Sequence, residues 1–253
     1  MTFIWNQNQI KFNHHENIPS SFRMLIVGSS GCGKTQLLFK MLLTPNYLDY
    51  ENIIIFSKTI YQDEYQILNE GFKNGLSKES IIKIFEEQDK FDKTLSIREI
   101  CERYAGCFPN EVLPINNRIT ITMENKFDKI MNPSDLNKTK KNLIIFDDCV
   151  TEKNQEVMSA YFTRGRHNNC NSIYLSQSWF DLPKKTIRNN LNFVILFKLN
   201  KRDKDLIYAD LFSNILEKDE FNFTINNQWK EKYKYTAFDK DKDVILADLF
   251  ENY

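Results

Sequence analysis

Short, unbroken apolar runs recur along the chain, and most close on a polar residue. They lie within the strand candidates 24–27, 52–56, 142–146, 171–175 and 193–197, three of which begin on polar residues, Asn52, Asn142 and Asn171-Ser172. Apolar runs of this length without alternation read as parallel strands covered on both faces. Between them lie stretches with helical spacing: 36–43, 77–88 with Ser77 as N-cap, 97–104, 152–163, 182–190 with Pro183 in the first turn, 203–211 and 214–221. Residues 229–238 and 243–246 read as closing β elements, and 112–123 as a hairpin around Asn116-Asn117. Alternating strands and helices predict an α/β fold with a mainly parallel central sheet flanked by helices. The expected layout is a single domain over 1–253. It has a lead-in at 1–23, an elaboration at 60–140 between the second and third core strands, and C-terminal helices and strands from 200 onward. In the lead-in, Phe3, Ile4, Trp5, Ile10 and Phe12 are expected to pair as small strands or to pack on the sheet, and His14 and His15 to sit in an exposed loop.

The first strand runs into Gly28-Ser29-Ser30-Gly31-Cys32-Gly33-Lys34-Thr35, and a helical stretch follows. Glycine, four residues, then Gly-Lys-Thr is the phosphate-binding loop pattern, here in the strand–loop–helix context that gives it meaning. The glycines let successive N–H groups turn inward at the positive end of a helix, where a polyphosphate binds. Lys34 is placed to reach the β- and γ-phosphates of ATP, and the Thr35 hydroxyl to ligate Mg²⁺.

In open α/β sheets, ligands bind at the carboxyl ends of the strands. Polar residues gather at those ends here: the glycine loop, Ser57, Asp147-Asp148 and Gln177. Asp147-Asp148 after four apolar residues has the form of a Walker B motif. Asp147 is the expected Mg²⁺ partner opposite Thr35, and Asp148 the carboxylate that orients the attacking water. The second position is more often Glu, so Asp148 is the less typical of the two. A Gln at a strand end is ordinarily a surface residue; following the Walker B strand, Gln177 becomes a candidate γ-phosphate sensor. Arg164 and Arg166, around Gly165, and Arg188 are candidates for a charge donated to the phosphoryl transition state. Their place in the sequence predicts that Arg164 and Arg166 leave the sheet near its edge. At least one of the three arginines would then act in trans on a neighbouring subunit.

Charge is balanced, with 34 basic and 34 acidic residues, so any DNA contact must come from local patches such as Lys184-Lys185 or 198–204. Five scattered cysteines (Cys32, Cys101, Cys107, Cys149, Cys170), and an N-terminus unlike a signal peptide, point to buried free thiols in a reducing, intracellular compartment. No apolar run reaches the roughly 20 residues of a membrane span.

Read from its residues alone, the chain is a Mg²⁺-dependent nucleoside triphosphatase. Four blocks carry a resemblance beyond that: Ser30–Thr35, 143–148, 162–169 with Arg164-Gly165-Arg166-His167 at its centre, and 173–178 ending in Ser176-Gln177-Ser178. In this order they resemble the poxvirus-type DNA-packaging ATPases, which also occur in giant viruses and virophages and are similar to the FtsK–HerA translocases. The resemblance spans about residues 22–200, loosely over 60–140. It implies a RecA-like P-loop fold of the ASCE type and an ATP-driven motor that moves double-stranded DNA into a capsid. It further implies subunits self-associated in a ring, capsid proteins as partners, and residence in the host-cell cytoplasm (the viral factory) or the virion. Rival expectations are a HerA-like translocase or helicase unconnected with packaging, a P-loop small-molecule kinase, and a nucleotide-gated scaffold. Asp148 and Gln177 argue against a kinase, which transfers phosphate to a bound acceptor rather than to water.

Overall fold

The computed structural model describes residues 10–87, 90–92 and 94–250. The expectations at Phe3, Ile4, Trp5 and Gln88 lie outside those residues. Eight strands form one sheet: β1 (Arg23–Val27), β2 (Asn52–Ser57), β3 (Thr120–Glu124), β4 (Asn142–Asp147), β5 (Cys170–Ser176), β6 (Phe193–Phe197), β7 (Tyr235–Asp239) and β8 (Val244–Leu246). Their spatial order is β3-β2-β4-β5-β1-β6-β7-β8. The first six are mutually parallel, and β7 and β8 continue the sheet antiparallel. One strand, β5, therefore separates the glycine-loop strand from the Walker B strand, as the ASCE arrangement requires.

The apolar runs are continuous because both faces of the sheet are covered. Met24 and Ile26 of β1, Leu143 and Ile145 of β4, and Phe193 and Ile195 of β6 point into one core. Their neighbours Leu25 and Val27, Ile144 and Phe146, and Val194 and Leu196 point into the other. Each fully buried side chain of this size contributes about 1.5–3 kcal/mol. The first core lies under α1 (Lys34–Leu43), α2 (Asp63–Lys73), α3 (Lys78–Glu87) and α4 (Ile97–Cys107). The second lies under α5 (Gln155–Arg164), α6 (Lys201–Ile207), the π-helical turn Tyr208–Phe212 that extends it, and α7 (Lys218–Gln228).

Several elements differ from expectation. The 112–123 stretch is not a hairpin. Residues Ile115–Asn117 form a 3₁₀ turn, and β3 joins β2 in parallel as an edge strand. Val112 makes only an isolated bridge to Leu76. The 182–190 stretch is not a regular helix; it is a chain of turns ending in the 3₁₀ segment Arg188–Asn190. Its bonds Ile187 N to Pro183 O and Asn189 N to Lys184 O skip between four- and five-residue spacing, because Ile187 and Leu191 are drawn into the core. The last helix runs over Lys218–Gln228 rather than 214–221, since the π-helical turn delays its start. In the lead-in, Phe12 is buried and stacks on His14, outside any strand. His14 is not an exposed loop residue: Asp49 N donates to its Nδ1 at 2.9 Å, and burial lowers its pKa to about 4.

Candidate active site

The glycine loop is pinned at its start between two strands. Gly28 N donates to Ser176 O of β5 at 3.1 Å, and Ser29 N to Lys198 O, just past β6, at 3.4 Å. This crowding is why residue 28 is glycine. A Cβ there would lie 2.5 Å from the Phe197 Cβ and 2.7 Å from the Cys32 sulfur. Gly33 takes φ +102, which only glycine adopts freely, and turns the loop into α1. The first turn of α1 has neither a side-chain cap nor an acidic residue, so its N–H groups and positive dipole end face the loop unopposed. Lys34 folds back over the loop, its Nζ donating to Gly28 O at 2.7 Å and Ser29 O at 2.9 Å. The ammonium thus closes the same ring of backbone that a phosphate would fill.

The second half of the site is built at the ends of β2 and β4. Asp147 is the last residue of β4 and is buried. Its Oδ2 accepts a 2.6 Å bond from the Tyr65 hydroxyl of α2 and a 3.3 Å bond from the Ser57 hydroxyl of β2. Burial pushes the Asp147 carboxyl above its ordinary range, while the Tyr65 and Ser57 bonds and the positive Lys34 across the site oppose that push. Asp148 is exposed, with φ +54, and its N–H donates to Leu175 O of β5 at 3.3 Å. The turn that follows is tied to the end of β2 by Lys58, whose Nζ reaches Glu152 Oε1 at 2.7 Å and Thr151 Oγ1 at 2.8 Å.

The end of β5 joins the two halves. Leu175 O holds Asp148 and Ser176 O holds Gly28, so Gln177, the next residue, emerges between Walker B and the glycine loop. Gln177 is exposed there. The chain beyond it is held by buried Asp203, whose Oδ1 accepts from Phe180 N at 3.0 Å and the Ser178 hydroxyl at 3.3 Å.

The oxygens present suit Mg²⁺. Among the described residues, both hydrogen bonds to the Asp147 carboxylate reach Oδ2 rather than Oδ1. One carboxylate and one hydroxyl, from Thr35, are typical of a Mg²⁺ that keeps waters and substrate phosphates as its other ligands. The sequence pattern marks neither Tyr65 nor its helix, and only its place opposite Asp147 reveals it. Removing a donor that orients a ligating carboxylate costs about 10–100-fold in metal affinity. Tyr65→Phe is accordingly expected to raise the Mg²⁺ concentration for half-maximal ATPase activity by roughly tenfold or more. A Mg²⁺ titration of turnover identical to wild type would show that Tyr65 does not position Asp147.

The arginines are not gathered with these groups. Arg164 ends α5, and Arg166 follows in the 3₁₀ turn Gly165–Asn168, which leads into the amino end of β5. The glycine loop is at the carboxyl ends. A five-residue strand such as β1 separates the two by roughly 16 Å, more than a side chain spans. The expectation that they leave near the sheet edge is also corrected, because β4 and β5 are interior strands. Sequence order carries no information on strand order, and the block 164–169 instead closes the amino ends, with Asn169 O accepting from Asn142 N at 2.9 Å. Arg188 is committed elsewhere. Its side chain is 10% exposed and its Nη1 lies 2.8 Å from Asp210 Oδ2, which also accepts from Trp179 Nε1. Lys184 pairs with the other oxygen of Asp210.

Known proteins share this fold. The family model described as Poxvirus A32 protein matches residues 102–235, more than half of the chain. The solved genome packaging NTPase B204 of Sulfolobus turreted icosahedral virus 2, in complex with sulfate, superposes with a TM-score of 0.53 at 13% identity, over 89% of this chain and 95% of that one. The same protein in complex with ATP-gammaS gives 0.52 at 13% identity over the same shares. B204, the DNA-packaging ATPase from Sulfolobus Turreted Icosahedral Virus, gives 0.50 at 12% identity, over 88% of this chain and 94% of that one. At such identities the likeness is one of fold. No curated protein sequence matches the chain.

Proposed function

Since the chain belongs to the poxvirus A32 protein family and is an ATPase with the P-loop fold, we propose that it is a Mg²⁺-dependent motor driving double-stranded DNA into a viral capsid. The observation that carries this proposal is the convergence of Lys34, Asp147, Asp148 and Gln177 at the carboxyl ends of three adjacent strands, β4, β5 and β1. Lys34 exchanges its bonds to Gly28 O and Ser29 O for the β- and γ-phosphates of ATP. Thr35 and Asp147 would hold Mg²⁺, which would supply neutralising charge for phosphoryl transfer. Asp148, exposed at the mouth of the site, accepts a proton from the attacking water. Gln177, between Asp148 and the glycine loop, reports whether the γ-phosphate is present to the segment 178–180 anchored on Asp203.

Duplex DNA, a ring of identical subunits and contact with capsid proteins complete the proposal, with the host-cell cytoplasm or the virion as its place. B204, with the same fold, is named as a genome packaging NTPase, which supports this choice of task. Within a ring, donation of an arginine to a neighbouring site is open to Arg164 and Arg166, which are exposed, and closed to Arg188, which is paired with Asp210. Movement along DNA is tested by displacement of a third strand from a triplex. ATP is expected to release the third strand, and a nonhydrolysable analogue is not. Release that is independent of ATP, or no release under conditions of full turnover, would contradict a motor.

A further inference from the structure

We propose that Tyr233 is the platform on which the nucleobase of the bound nucleoside triphosphate stacks, in a cavity formed by the glycine loop and the 229–234 turn. The inference rests on the ATP site described above and adds to it the end of the nucleotide that the loop does not hold. The direction of the nucleotide follows from strand order. The γ-phosphate end faces Asp147, Asp148 and Gln177, on the β4 and β5 side of β1. The nucleoside end therefore runs to the other side of β1, toward β6 and β7. Because β7 is antiparallel to β6, the chain enters β7 at the same end of the sheet as the glycine loop.

A cavity of about 320 Å³ lies at that place, lined by Ser29 to Cys32, Phe197, Lys198 and the 229–234 turn. The turn is fixed at both ends. Trp229 Nε1 donates to Leu196 O at 3.1 Å, and Tyr235 pairs with Phe197 in the sheet. Between these anchors, Tyr233 is 50% exposed and has φ +68, an unusual conformation for a bulky residue. One edge of its ring lies against the loop: a Cβ on Gly33 would be 3.2 Å from Tyr233 Cδ1. Lys232 Nζ lies over one face of the ring, 4.7 Å from its centroid. With Lys198, Lys230 and Lys234, against the acid Glu231, it makes the rim positive, which suits a ligand whose phosphates lie next door. Lys232 covers one face of this half-exposed ring, so a base would stack on the opposite face, and such stacking tolerates any base.

The test compares ATP with inorganic tripolyphosphate, which has the phosphates but no base. Both are titrated into the wild-type chain and into Tyr233→Phe, Tyr233→Ala and Tyr233→Asn, with Mg²⁺ present and DNA absent. Tyr233→Asn is included because asparagine tolerates positive φ. Loss of the ring is expected to weaken ATP on the order of tenfold and to leave tripolyphosphate unchanged, while Phe retains wild-type affinity. Equal weakening of both ligands would overturn the proposal, since Tyr233 would then only shape the loop. Unchanged ATP affinity in Tyr233→Ala and Tyr233→Asn would overturn it as well. A wild-type chain that binds neither ligand would refute the phosphate loop itself, a different failure. A measurement free of substitutions is photolabelling of the wild type by 8-azido-ATP. Label within 229–234, displaced by ATP, is expected, and label confined to other segments would contradict the assignment.

Discussion

Lys34→Ala is expected to lower ATP turnover by at least about 10²-fold and to weaken nucleotide binding. A single lost donor to charge that develops in a transition state costs about 10²–10³ in rate. Here the donor is a full positive charge. Lys34 is the lysine of the glycine loop, and its Nζ lies within 3 Å of two of the loop's own carbonyls. Its removal leaves the backbone N–H groups in place, so residual binding through the loop and α1 is expected to persist. The decisive comparison is phosphate release against ATP affinity in the same preparation. Near-normal turnover would remove the glycine loop from the mechanism.

Asp148→Asn is expected to retain ATP binding and lose about 10²–10⁴ in turnover, the range for a general base. The substitution isolates the charge. Asp148 is exposed at φ +54, a conformation asparagine adopts at least as readily, and its backbone bond to Leu175 O is untouched. Asp147→Asn is expected to act differently. Its carboxylate is buried between two hydroxyl donors, and an amide there turns an NH₂ toward either those donors or the metal. Turnover should then lose its response to Mg²⁺ as well as its rate. Equal and mild effects of the two substitutions on Mg²⁺-dependent turnover would mean that the roles are assigned to the wrong strand end.

Much of the site was legible because its chemistry falls where the sequence pattern changes most abruptly. Core strands buried on both faces leave unbroken apolar runs, so their carboxyl ends stand out as the first polar residue. The candidate groups Asp147, Ser57, Gln177 and the glycine loop are legible that way. Where packing rather than pattern decides, the sequence was silent. The helix α2 carries Gly71 in its interior and no side-chain cap at Gln62, both contrary to an ordinary helix signature. Gly71 is small because Ile81 of α3 packs onto it; a Cβ would lie 2.6 Å from Ile81 Cγ1. Tyr65 was hidden along with that helix. The edge strand β3 has one face to solvent and only weak alternation. The place of Arg164 and Arg166 in the fold is hidden for another reason. The chain order strand, helix, arginines, strand is the same whether the arginines lie beside the nucleotide or at the far end of the sheet. Only the parallel pairing of β4 with β5 assigns them to the amino ends.

The account turns on phosphate release by the purified chain with Mg²⁺ and ATP, no acceptor, and duplex DNA present or absent across a salt series. It predicts release without an acceptor, faster with DNA of any sequence, with the DNA effect falling steeply as salt rises because phosphate contacts release counterions. No release until a small-molecule acceptor is added, or a rate that DNA leaves unchanged at every salt concentration, would contradict it.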